Sequence, residues 1–400
     1  MNQEVIIVDE NFPLFSKPHR KNHKPSENPS TAPVSSAVDN VAPKKPLPIE
    51  KSTELGTKFA DDVAFADLGL SEAIARTCEE LAMKKPTAVQ THCIPKILAG
   101  LDVLGIAQTG SGKTAAFALP ILQRLSETPF GVFALVITPT RELGYQLAEQ
   151  FRALGSGLNL RCSVVVGGMD MLNQTQSLLK RPHLVIATPG RVKVLLEENP
   201  DIHVVFSKTK FLVLDEADRL LEVGFEEELK VIFQCLPLSR QTLLFSATLT
   251  KNLETLLELS ANKAYFYEAY EGFKTVDMLK QQYVLIPKDR KNHFLRHILS
   301  KMEHMGIRSA IIFVQTCKSC HQLGLLLETL NQEVAALHSF KSQSQRLAAL
   351  YRFKSGQVPV LLATDVASRD VQEICTPCGT YCTCRQRRIR REHCYPGARH

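Results

Sequence analysis

No stretch of this 400-residue sequence has the run of roughly 18 apolar residues that a membrane-spanning helix needs. The N-terminus also lacks the charged region and apolar segment of a secretory signal. These absences lead us to expect a cytosolic or nuclear protein with no membrane partner. Strong charge is missing too. A net charge of +7 leans basic, which suits a nucleic-acid partner without establishing one. The cysteines lack a disulfide framework. Six of eleven (Cys78, Cys93, Cys162, Cys235, Cys317, Cys320) are scattered, and in an intracellular chain they read as small buried hydrophobes or free thiols. The other five crowd into residues 375–394. What is present is 44% hydrophobic residues, enough for more than one core, so two domains are expected.

Residues 1–62 read as a disordered segment. Prolines at 13, 18, 25, 29, 33, 43, 46 and 48, with Ser, Lys and Asn between them, leave little to bury. From 63 onward, short apolar runs alternate with amphipathic stretches of helical length. Strand candidates include VLGIAQTG (103–110), FALVITPT (133–140), HLVIATPG (183–190), FLVLDEAD (211–218), TLLFSAT (242–248), AIIFVQT (310–316) and VLLATD (360–365). Continuous apolar runs with polar ends mark parallel strands buried on both faces, and strands separated by helices imply an open α/β sheet. Ligands in such sheets bind at the carboxyl ends of the strands. A composition change after residue 268 divides two such arrays, 63–268 and 282–374, with a linker at 269–281 and a Cys/Arg-rich tail at 375–400.

The segment AQTGSGKT approaches the phosphate-loop pattern, with Ala107 in place of its first glycine. Ala107, Gln108, Thr109, Gly110, Ser111 and Gly112 would curl their backbone around phosphates at the start of a helix. Lys113 would supply charge to the β- and γ-phosphates, and the Thr114 hydroxyl would ligate Mg2+. Asp215, at the end of a later strand, would be the second metal residue. Glu216 would orient or deprotonate an attacking water. These features point to an NTPase with Mg2+ as cofactor, without saying what it works on.

Taken in order, the motifs resemble those of the DEAD-box RNA helicases, a family with two RecA-like domains. The tetrapeptide Asp215-Glu216-Ala217-Asp218 is the one that names the family. KKPTAVQ (84–90) resembles its Q motif, which implies that Thr87 and Gln90 belong to the nucleotide site. Gln90 would read the adenine edge and Phe65 would stack on the ring, which implies ATP as the nucleotide cofactor, since guanine presents the opposite donor and acceptor pattern there. Ser246 and Thr248 of SAT resemble the element that couples hydrolysis to RNA release by bonding towards Asp218. The resemblance further implies RNA contacts from Arg141, Gly168, Thr188 and Arg191 in the first array. In the second it implies contacts from Thr316, Gln343, Arg346 and Thr364, with Asp365 facing the ribose. Such groups bind the sugar-phosphate backbone and carry no sequence information. The implied fold is α/β with parallel sheets of the P-loop NTPase type, the second domain incomplete. The wording around residues 65–74 and 131–146 is most similar to nucleolar members that act in small-subunit rRNA maturation. That similarity implies a monomer in the nucleus, at the nucleolus, with the cytoplasm as an alternative, working with protein cofactors of ribosome assembly.

The sequence departs from the pattern in two places. Gly144 stands where the family commonly has alanine. After Arg369 the family continues with Gly, an aliphatic residue and Asp, then a motif His-Arg-x-Gly-Arg-x-x-Arg, whereas here DVQEICTPCG follows. Arginines of that motif act as fingers worth several powers of ten in rate. Impaired turnover is therefore expected, together with uncovered strand edges in the second sheet. The alternative is a non-catalytic isoform that binds nucleotide or RNA and competes with a full-length helicase. The tail itself leaves three readings open: a zinc site beginning at Cys375-x-x-Cys378, nonspecific RNA binding by its arginines, or an unfolded replacement for the rest of the core.

Overall fold

The computed structural model describes residues 50–51, 63–250, 253, 264–269, 284–364 and 381–385. Its strands are β1 (Glu50–Lys51), β2 (Asp102–Ile106), β3 (Ala134–Ile137), β4 (Cys162–Val165), β5 (Leu184–Ala187), β6 (Phe211–Leu214), β7 (Gln241–Ser246) and β8 (Ala264–Glu268) in a first sheet. A second sheet holds β9 (Ser309–Val314), β10 (Val334–Leu337), β11 (Val360–Thr364) and β12 (Tyr381–Arg385). Every pairing is parallel.

Alternation along each strand sends successive side chains to opposite faces. In β2, Val103 joins one core and Leu104 the other; in β5, Leu184 and Ile186 face the first core while Val185 and Ala187 face the second. The second sheet repeats this arrangement, with Ala310, Ile312 and Val314 on one side and Ile311 and Phe313 on the other. Both faces are covered, which is why the strands are apolar runs rather than alternating ones.

Strand order places the site. The first sheet runs β1-β8-β2-β7-β6-β3-β5-β4. The loops after β2, β7 and β6, which carry the phosphate loop, SAT and DEAD segments, therefore leave three neighbouring strands. The loops after β3, β5 and β4 leave the other half of the same edge. The second sheet runs β10-β11-β9-β12.

Two short strands lie outside the two arrays read from the sequence. Glu50–Lys51, in the N-terminal segment, adds a short strand beside β8. Tyr381–Arg385, in the Cys/Arg-rich tail, pairs in register with β9 from Tyr381↔Ser309 to Arg385↔Phe313. In both cases an open strand edge offers unpaired N–H and C=O groups that backbone of any sequence can satisfy. The edge of β9 is thus covered by residues of the tail. The linker, apart from Ala269, lies outside the described residues, as do Asp365 and Cys375, Cys378 and Cys394 of the suggested zinc site. No described helix is long and apolar enough to cross a membrane.

Candidate nucleotide site and nucleic-acid face

The phosphate loop follows β2 and opens the helix Lys113–Glu127. Gly110 (φ 83°) and Gly112 (φ 93°) are left-handed. Gly112 admits no side chain, because a Cβ there would lie 2.4 Å from Gln90 Nε2 and 2.9 Å from Thr87 Oγ1. Lys113 is buried and donates from Nζ to the carbonyls of Ala107 at 2.7 Å and Gln108 at 2.9 Å. Its ammonium is therefore folded into the loop, near where phosphate oxygens would replace those carbonyls. The Ser111 hydroxyl is buried without a hydrogen-bond partner. An orphaned hydroxyl in a loop of backbone amides suits an anionic ligand.

Gln90 and Phe65 are placed differently from the simplest expectation. Gln90 Oε1 accepts from Thr87 N at 2.9 Å, and its Nε2 donates to Gly112 O at 3.1 Å. The side chain is only 2% exposed and ties the helix start at Thr87 to the phosphate loop. One amide hydrogen and one lone pair remain for a base edge. Phe65 is 4% exposed and packs within the first core with Leu68 and Ile94. Stacking on a base therefore requires the turn at 65–69 to move, because burial of its apolar ring has won over exposure at the site.

The DEAD segment leaves β6, next to β7. Asp215 is buried and accepts from Glu216 N at 3.1 Å. Glu216 is left-handed (φ 49°), a strained setting for a non-glycine residue, and its carboxylate is paired with Arg219. Asp218 takes two bonds across to the SAT segment, from Thr248 Oγ1 at 2.7 Å and Thr248 N at 3.2 Å. Ser246 Oγ donates to Thr248 O at 2.8 Å. The expected link to Asp218 is made by Thr248, whereas the Ser246 hydroxyl bonds within its own segment, to Thr248. Among the described residues no group of three His, Cys, Asp or Glu side chains could hold a metal by itself. The Thr114 hydroxyl with the Asp215 carboxylate is a hard-oxygen pair that suits Mg2+ shared with phosphates.

On the other half of the edge, Arg141 opens the helix Arg141–Leu154 and lies over the turn after β4. A Cβ on Gly168, left-handed at φ 78°, would fall 2.5 Å from Arg141 Nη1. Arg191 donates to Val166 O at 3.3 Å and Met169 O at 2.6 Å, bracing that turn from the other side. Thr188 stands at the start of the helix Pro189–Glu198, makes no side-chain capping bond, and is buried. Arg141, Gly168, Thr188 and Arg191 are therefore gathered into one patch.

The second sheet's candidates divide. Thr316 is exposed; its Oγ1 accepts from Ser319 N at 3.0 Å. Thr364 is 4% exposed at the end of β11. Gln343 and Arg346 turn to protein instead. Gln343 Nε2 donates to Glu142 Oε1 at 2.9 Å, and Arg346 Nη2 is 2.8 Å from the same oxygen. Glu142 is a buried carboxylate, and only a guanidinium with a second donor satisfies one at that depth. Two helical turns further on, Lys354 meets Glu149 at 3.1 Å. Helix Gln343–Lys354 thus clasps helix Arg141–Leu154 at two points. Glu142 and Glu149 escaped the sequence reading. The available signal was an acidic residue next to Arg141, which looks like an ordinary helix-start acid.

Parallel α/β sheets with a phosphate loop, an acidic strand end and a coupled SAT segment define a nucleotide-binding helicase core. The DEAD/DEAH box helicase family model matches residues 87–256, and the helicase conserved C-terminal domain model matches 290–373. DEAD-box ATP-dependent RNA helicase 36 of Arabidopsis thaliana is 71% identical over 305 residues, covering 76% of this chain and 62% of that protein. Probable ATP-dependent RNA helicase DDX47 of Bos taurus is 44% identical over 319 residues, covering 80% of this chain and 69% of that protein. Among solved structures, S. cerevisiae Dbp5 bound to RNA and ADP BeF3 is similar with a TM-score of 0.65 and 26% identity, covering 76% of each chain. The chain belongs to the DEAD-box helicase family, and its two sheets are RecA-like. It spans about three fifths of the length of the Arabidopsis relative.

Proposed function

We propose that this chain is an ATP-dependent RNA-remodelling protein that binds ATP at the β2-β7-β6 edge and RNA backbone at the β3-β5-β4 edge. The observation that carries the proposal is strand adjacency. It puts the phosphate loop beside the Asp218–Thr248 link, so that loss of the γ-phosphate can be felt at SAT. Lys113 exchanges its two carbonyl partners for phosphate oxygens, while Gln90 holds the loop through Gly112. Glu216, freed from Arg219, positions the attacking water. Thr114 and Asp215 would hold Mg2+, which would supply charge neutralisation of the phosphates. Arg141 and Arg191, with the Gly168 turn between them, hold successive phosphates of a strand without reading its bases.

On this reading the first domain spans 63–268 and the second 282–374. With DVQEICTPCG after Arg369 rather than an arginine-finger motif, turnover is slow and RNA stimulates it weakly. Nucleolar rRNA processing, with assembly factors as partners, is the cellular setting this reading favours. The Glu142 clasp, which spends Gln343 and Arg346 on protein, also suits a non-catalytic form that competes with a longer helicase for RNA. ATP turnover by the full chain with and without RNA, beside K113A, separates the two. Slow, K113A-sensitive turnover supports the enzyme. Nucleotide and RNA binding with no K113A-sensitive turnover supports the competitor. Strong RNA-stimulated hydrolysis refutes the weak-turnover assignment.

A further inference from the structure

Two thiols lie three residues apart at the start of the helix Cys317–Thr329, in the sequence Thr316-Cys317-Lys318-Ser319-Cys320. The nucleotide and RNA roles above use neither. Thr316 is the helix cap: its Oγ1 accepts from Ser319 N at 3.0 Å and donates to Ser319 Oγ at 2.8 Å. Cys317 follows the cap directly, where the helix field favours a thiolate. Its Sγ lies 3.1 Å from Ser339 Oγ, in the loop after β10. Cys320, one turn further on, is fully buried among Leu323, Ala336 and Leu362 of the second sheet's core.

The two sulfurs are chemically unequal. The hydrogen bond from Ser339 holds the Cys317 thiol below its ordinary range, while burial pushes Cys320 up to about 11. One thiol is half-exposed and touches a serine hydroxyl; the other is shielded in the core and stays protonated. A nucleophilic thiol and its resolving partner differ in this way.

We propose that Cys317 and Cys320 are a redox-active dithiol, which a peroxide-class oxidant converts to a disulfide bridging the first turn of this helix. The Cys317 thiolate attacks one peroxide oxygen, the O–O bond breaks, and the departing hydroxide takes a proton to leave as water. Cys317 is then a sulfenic acid. Cys320 gives up its proton as its sulfur attacks Cys317 Sγ; the S–O bond breaks and the second oxygen leaves as water. Two thiols lose two electrons and two protons, and one peroxide becomes two waters. Cβ atoms three apart on a helix are about 5–6 Å apart, whereas a disulfide needs roughly 3.5–4.5 Å. The first turn must therefore tighten, which withdraws Cys317 from Ser339 and disturbs the Thr316 cap. The family resemblance implies Thr316 as an RNA contact, and if RNA binding extends to it as that resemblance implies, the oxidised form binds RNA several-fold more weakly.

The test treats the full chain with hydrogen peroxide, blocks remaining thiols with N-ethylmaleimide and digests with trypsin without reductant. Cleavage after Lys318 separates the pair, so the disulfide appears as peptides 309–318 and 319–341 joined together. Expected are that joined species, its loss on adding dithiothreitol, and a dimedone-trapped sulfenic acid at Cys317 in C320S. Recovery of both thiols blocked by maleimide, or pairing of Cys317 with a tail cysteine instead, overturns the proposal. Fluorescence anisotropy with single-stranded RNA then compares reduced, oxidised and C317S/C320S chains. Weakening confined to the oxidised chain supports the link to RNA; unchanged affinity in a chain proven oxidised overturns that link. If the reduced chain binds no RNA, it is the functional reading that fails, and the joined peptides still decide the dithiol.

Discussion

The two sheets use their strand ends differently. In the first, candidate residues answer one another: Lys113 to Ala107 and Gln108, Gln90 to Gly112, Thr248 to Asp218. In the second, Gln343 and Arg346 reach out to Glu142 of the first domain. The first domain thus holds a self-supported nucleotide cradle. The second contributes through its grip on a surface of the first, a buried carboxylate held by two donors from one helix.

The comparison can be broken at either end. Removing the cradle's charge should have the largest effect. K113A is expected to lower ATP turnover at least about a hundredfold, measured by phosphate release, because it removes a cation aimed at developing phosphate charge. Next comes the clasp. E142A leaves the Arg346 guanidinium without its carboxylate in a largely buried setting, a loss of about 3 kcal/mol in domain association. Fluorescence transfer between labels on the two domains should report their separation, with the phosphate site intact. Third, T248V removes the hydroxyl from Asp218, costing roughly 1.5–3 kcal/mol in first-domain stability, readable by urea denaturation.

A smaller effect sharpens the contrast through pH. Burial first, then Lys341, His321 and Arg346, hold His338 below its ordinary 6.5. The unfolded chain therefore takes up this proton before the folded one does. Stability is full above about pH 6.5 and falls as pH drops through that value towards the folded pKa. Replacing His338 with Asn should flatten the acid side of a melting-temperature profile. The smallest change is K354A. Its pairing with Glu149 is partly exposed, at 26% and 39%, so the loss should be a few tenths of a kcal/mol and should vanish at high salt.

Much of the first domain was legible in the sequence because strand runs and turn residues announce themselves locally. The phosphate loop, Asp215 and the SAT segment all sit at strand ends where an open α/β sheet puts its ligands. The rest depended on partners remote in the chain. Glu142 reads as a helix-start acid until Gln343 and Arg346 arrive from about two hundred residues away to bury it. Phe65 reads as a stacking ring until the core claims it. The C-x-x-C at 317–320 was in plain view, but its asymmetry appears only when Ser339 reaches one sulfur and the core covers the other. The strand at Tyr381–Arg385 answers an empty edge on β9, which no local pattern in the tail encodes.

The most direct test of the self-supported cradle is equilibrium binding of a fluorescent ATP analogue to the full chain, beside K113A and E142A. The account predicts saturable binding that K113A abolishes and E142A leaves within about twofold, since Glu142 lies on the other half of the edge. Binding unaffected by K113A, or lost equally in E142A, would contradict it.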